Sequence, residues 1–146
     1  MRRPPRRPED RILGRRTATI ALAQGFVVLG FALAIYLWAV ARGLGADETR
    51  TLTFVTIVMA NLALIAVNRS WSESVLGTLK APNRAFWWVT GATLFFLAVA
   101  VALPAARDIF RFSVIHPWDL LLCILAGILS VVWFEVYKRT RPVAAR

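Results

Sequence analysis

The chain has 146 residues, 58% of them hydrophobic, and carries 18 Lys and Arg against 8 Asp and Glu. A soluble domain of this size does not usually combine so apolar a composition with so basic a one, so the two properties must be segregated along the chain. Its single cysteine excludes an intrachain disulfide, and its single histidine has no second ligand at metal spacing.

Residues 1–16 form a basic segment, "MRRPPRRPEDRILGRR", with seven arginines. From Thr17 to Ala41 the chain is free of charge and long enough to cross a hydrocarbon layer about 30 Å thick at about 1.5 Å per helical residue. A cleaved signal peptide is the competing reading, since Ala39-Val40-Ala41 has the form of a cleavage motif. The run is too long for an ordinary signal sequence, and three more apolar runs follow it. Within it, Ala18, Ala21, Gly25 and Ala32 share one stripe at helical spacing, which marks a packing face. Gln24 is its one amide, for which an interhelical hydrogen bond is expected and ion coordination is the alternative.

The second run, Thr51 to Val67, is the shortest plausible span and contains Thr56 and Asn61, the latter with the same two readings as Gln24. The connection "NRSWSES…" carries Arg69 as a charge anchor and Trp71 as an interfacial one, and "SESVLGTL" has the spacing of a short surface helix. Pro82-Asn83 closes this loop before the third run, Ala85 to Leu103, and Pro104 ends that run. The fourth span, 117–137, opens with Pro117 and with Asp119 in its first turn, where a negative charge suits a helix N-terminus. His116 just before it is expected to be a cap or interface residue. Cys123, Ala126, Gly127 and Ser130 form a second small-residue patch, and Cys123 is expected to be a buried thiol. Glu135 is read as a local ion-pair partner of Lys138 and Arg139, which begin the basic tail 138–146.

The fold class that follows is an all-α membrane protein with four transmembrane helices, over about 17–41, 51–67, 85–103 and 117–137, in an antiparallel bundle. The N-terminal segment, the 68–84 connection and the tail hold 14 of the 18 cationic residues, while the other two connections hold Arg42 with Arg50 and Arg107 with Arg111. Cationic loops resist translocation, so both termini are expected in the cytoplasm. Trp38, Trp71, Trp87, Trp88, Trp118 and Trp133 all fall near a span end, as amphipathic rings at headgroup level should. The lipid bilayer is thus an expected partner. The arginine run is explained by orientation, and nucleic acid is not expected as a partner.

The chemistry of catalysis is missing. There is no Gly-rich phosphate loop, no paired Cys or His, and no nucleophile with a base, so no catalytic or cofactor-binding residue is assigned.

The run "LTFVTIVMANLALIAVNRSWSESVLGTLKAPNRAFWW", followed by "IFRFSVIHPWDLLLCILAGILSVVWFEVYK", resembles the C-terminal membrane region of bacterial cation-transporting P-type ATPases of the calcium-pump-like class. The opening "MRRPPRRPEDRILGRR" is similar to the cytoplasmic loop before the family's seventh membrane helix. The resemblance implies that the four spans correspond to the seventh to tenth helices. The family's Asp-Lys-Thr-Gly phosphorylation motif is absent, since none of Asp10, Asp47, Asp108 and Asp119 is followed by Lys-Thr. ATP and magnesium would then belong to domains outside this chain. The family's two-site pumps carry glutamate in "Val-Thr-Ile-Glu-Met", where this chain reads "VTIVM" with Val58. That leaves Asn61 as the one nearby candidate metal ligand and implies fewer ions per cycle.

Because residue 1 aligns with positions internal to the family, a truncated gene, a misassigned start or half of a split pump is expected. The expected function is that of a membrane support domain in a cation pump at the cell membrane. Its partners would be the pump's N-terminal helices and domains, in the same chain or a separate one, and the isolated chain would not be an enzyme. The alternative is a free-standing small membrane protein that binds or regulates a pump. An independent channel or transporter would need polar residues lining a pathway, and those are scarce.

Overall fold

The computed structural model describes residues 15–69 and 84–140, with side chains over 18–69 and 84–137. The expectations for Trp71, Pro82-Asn83, the surface helix in "SESVLGTL", the basic start, and the partners Lys138 and Arg139 of Glu135 lie outside that description. Among the described residues all regular structure is helical: α1 (Arg15–Ala41), α2 (Ala46–Asn68), α3 (Arg84–Ala102), α4 (Pro104–Phe110) and α5 (Pro117–Thr140). Four of these are long and apolar enough to cross a membrane, over Ala18–Ala41, Ala46–Asn68, Arg84–Ala102 and Pro117–Tyr137.

Local sequence explains several of the helix ends. Gly43, at φ 73°, takes the left-handed conformation that stops α1. Its N–H bonds the carbonyl of Val40 at 2.9 Å and that of Leu44 bonds the carbonyl of Ala39 at 3.1 Å, which is the Schellman pattern. Leu44 packs against the core cluster that contains Ala39. The next helix begins two residues later, well before the charge-free run at Thr51. Asp47 and Glu48 sit in its first turn, where the helix dipole favours them, and the Glu48 carboxylate accepts the Gly45 N–H at 3.3 Å.

The short α4 is an element the sequence reading missed. Pro104 occupies its first turn, where the missing N–H costs nothing. Arg111 ends it in the left-handed region at φ 52°, a conformation that costs a non-glycine residue about 1 kcal/mol. The guanidinium of Arg50 holds this end by donating to the Arg111 carbonyl at 2.8 Å. At the start of α5, His116 caps as expected: its carbonyl accepts the N–H groups of Asp119 and Leu120 at 3.0 and 3.1 Å, and its ring Nδ1 faces the Trp118 N–H at 3.4 Å.

The core runs between α1, α2 and α5 in two clusters. At one end Ile20 meets Val67, Val131 and Phe134, with Ala63, Leu64 and Tyr137 around them. At the other, Ala39, Leu52, Val55 and Cys123 pack together, joined by Leu97 and Val101 of α3 and Ile115 before α5. The contact between α2 and α5 is the most extensive of the fold, and α3 is the least enclosed span, 11% buried against 39% for α2.

Candidate functional site

Several polar residues of the spans lie on the seams between α1, α2 and α5. Gln24, one turn past Ile20 on α1, is buried and exchanges two hydrogen bonds with Asn68, the last residue of α2. Each amide donates its nitrogen to the other's oxygen at 3.0 Å. The interhelical bond expected of Gln24 is therefore formed. Its partner was missed, because Asn68 reads in sequence only as the point where a helix leaves the membrane. The usable signal was depth, since one amide lies near the start of a span and the other at the end of the next.

The hydroxyls deeper in the seam are turned back on their own helices. Thr56 Oγ1 donates to the Leu52 carbonyl at 2.9 Å and Ser130 Oγ to the Gly127 carbonyl at 2.7 Å, and both residues are buried. Cys123 is a free, fully buried thiol, as expected. These groups satisfy the backbone and leave little polarity to offer a ligand.

Among the described glycines, Gly127 has the closest environment. A Cβ there would lie 2.7 Å from the Met59 Cβ, 2.8 Å from the Ala60 nitrogen and 3.0 Å from the Thr56 carbonyl oxygen. The α5 backbone thus rests directly on α2, the packing that small residues permit in membrane helices. The stripe predicted on α1 behaves differently. Ala32 is buried, but Ala18, Ala21 and Gly25 are exposed, and a Cβ at Gly25 would meet nothing within 4 Å. The buried face of α1 runs instead through Ile20, Gln24, Ala32 and Ala39, and that part of the stripe points outward.

At the opposite end from the amide pair, polar contacts bind the connections to the helices. Thr51, fully buried, donates to the Asp47 carbonyl at 2.6 Å and accepts the Ser113 N–H at 3.0 Å. Arg50 joins Asp47 at 2.9 Å in addition to the Arg111 carbonyl, and Phe54 packs on Phe112 with ring centres 5.0 Å apart. Asp119, besides sitting in the first turn of α5, lies 3.6 Å from Arg42, whose guanidinium also covers the Trp38 ring at 4.8 Å. These contacts tie α1, α2, α4 and α5 together at one level.

Asn61 is exposed and has no hydrogen-bond partner among the described residues. Val58 is half-buried and lines an apolar groove of about 340 Å³ with Phe54 of α2, Leu97 of α3 and Phe110 of α4. Among the described residues no group of three His, Cys, Asp or Glu side chains could hold a metal ion.

Four membrane-length helices packed through a glycine contact define a helical membrane domain. The chain belongs to the cation-transporting ATPase family: the model described as "Cation transporting ATPase, C-terminus" matches residues 1–140. Among curated proteins, the calcium-transporting ATPase type 2C member 2 of Mus musculus is 31% identical over 153 residues. That similarity takes in 97% of this chain and 16% of the mouse protein, so the chain spans about a sixth of the length of the relative it matches.

Proposed function

We propose that this chain serves as the C-terminal membrane support domain of a P-type cation pump, its four spans corresponding to the seventh to tenth helices of the family. The observation that carries this reading is the family match over residues 1–140. The packing supports it, because a bundle in which most buried polar side chains bond within the bundle suits a brace better than an ion path. On this reading the helices run up and down in turn, with both termini and the 68–84 loop cytoplasmic by charge and the chain multi-pass in the cell membrane. The ends that meet in the core agree with that order: Ile20 near the start of α1 packs on Val67 and Phe134 near the ends of α2 and α5.

Nucleotide and magnesium chemistry belongs to the pump's other domains, and the isolated chain hydrolyses no ATP. The pump's N-terminal helices are the natural partner of the outward face of α1. Asn61, exposed on α2, is the residue of this chain nearest to a metal-ligand role. With Val58 in place of a carboxylate, the pump carries fewer ions per cycle.

The test is a chimera in which this chain replaces the corresponding C-terminal segment of a calcium-transporting ATPase, with ATP-dependent calcium uptake measured in membrane vesicles. Uptake well above that of the pump lacking the segment is expected, together with no hydrolysis by the purified chain alone. A chimera no better than the deletion, or hydrolysis by the chain itself, defeats the proposal. If instead the free chain binds and modulates an intact pump without replacing its C-terminus, the regulator reading takes over.

A further inference from the structure

The span that packs least carries the most organised outward face. On α3, Trp87, Gly91 and Phe95 follow one another at four-residue spacing, and Trp88, Ala92 and Phe96 form the adjoining ridge. Each ridge is tall at both ends and low in the middle, and all six residues are exposed. A Cβ at Gly91 would meet nothing within 4 Å. The result is an open groove of about 790 Å³ between aromatic walls, with Arg84 at one end.

Two features of the groove point to its occupant. The first is charge: Arg84 is exposed at the mouth and, among the described residues, has no carboxylate partner, so the groove ends on a cation beside two indoles. The second is length. From Arg84 to Phe96 is about 18 Å along the helix axis at about 1.5 Å per residue, close to the roughly 15 Å depth of one leaflet of hydrocarbon. A groove that is cationic at headgroup level, aromatic below, and apolar to mid-membrane matches a single anionic phospholipid laid along the helix.

We infer that α3 carries a binding site for an anionic phospholipid, with Arg84 holding the phosphate and one acyl chain lying in the waist at Gly91 and Ala92 between the aromatic pairs. The site requires that the chain lie in a bilayer, and it does not depend on which leaflet faces Arg84 or on the pump assignment. Because the waist is open, filling it should leave the fold intact, which makes the site separable from stability.

The experiment uses the whole chain purified in mild detergent and titrated with phosphatidylglycerol or with phosphatidylcholine of the same acyl chains, with bound lipid read by native mass spectrometry and the fold by thermal unfolding. Wild type should retain one phosphatidylglycerol about 5- to 10-fold more tightly than phosphatidylcholine. Arg84→Gln should bring that ratio to about 1 to 2. Gly91→Leu, or Ala92→Leu as a second filler, should weaken both lipids alike, about 5-fold, with no fall in unfolding temperature. Replacing Arg2 and Arg3 by Gln should leave the ratio unchanged.

Equal binding of the two lipids by wild type overturns the inference, and so does wild-type behaviour in Arg84→Gln or in both waist fillers. Displacement of the lipid by millimolar inorganic phosphate would assign Arg84 to a free-phosphate site instead. A lipid-free dimer that Gly91→Leu dissociates would make the face a seat for a second helix.

Discussion

Gly127→Ala tests the principal contact of the fold with one methyl group. The added Cβ would sit 2.7 Å from the Met59 Cβ and 2.8 Å from the Ala60 nitrogen, where ordinary contact is about 3.5–4.0 Å. Neither obstacle can rotate away, since one is a backbone atom and the other is bonded to the backbone. The two helices must therefore part by about 1 Å along their closest stretch. Overpacking of this kind costs about 1–3 kcal/mol, and a clash against backbone belongs in the upper half of that range. Alanine returns about 1 kcal/mol of helix propensity, leaving a net loss of about 1–2 kcal/mol. Gly25→Ala is the matched control, the same substitution in mid-span at an open position, where only the propensity gain of up to about 1 kcal/mol remains. Unfolding of the detergent-solubilised chain, followed by tryptophan fluorescence against denaturing detergent or temperature, should separate the two variants by about 2–3 kcal/mol. If Gly127→Ala is as stable as Gly25→Ala, the backbone contact between α2 and α5 is not as described.

Three further outcomes are expected. A double-mutant cycle on Gln24→Leu and Asn68→Leu should give a coupling of about 0.6 kcal/mol and no more than about 1.7, the range for hydrogen bonds between membrane helices; zero coupling would mean that the amides do not pair. Thr51→Val removes both the acceptor for the Ser113 N–H and the donor to the Asp47 carbonyl, and should cost about 1–2 kcal/mol, with faster hydrogen exchange at the Ser113 amide as the local readout. Asp119→Asn should cost at most about 1 kcal/mol and lose its effect at high salt, because the Arg42 side chain across the 3.6 Å gap is 58% exposed. A large, salt-independent loss there would indicate a deeper role for the carboxylate.

The four long helices were legible because the bilayer imposes a length and a composition that can be read along one dimension. Helix ends were legible where a single residue type has one conformational use, as with Pro104 and Pro117. What the linear pattern could not supply was rotation. Two small-residue stripes were read as equivalent packing faces, yet Gly127 lies against α2 backbone while Gly25 faces outward. A stripe states that close approach is possible, and a partner's position decides whether it occurs. On α1 the buried face holds Ile20, Ala32 and Ala39 together with Gln24, whose bond to Asn68 was not readable from either residue alone. The short α4 was hidden for a related reason. Seven residues carry too little periodicity to register, and the left-handed turn at Arg111 that ends the helix is secured by Arg50, 61 positions earlier in the chain. The polar residues therefore carry more of the specificity than their number suggests. In a medium where lipid solvates apolar faces as well as another helix does, the bonds of Gln24, Arg50 and Thr51 determine which of several equally greasy arrangements is adopted.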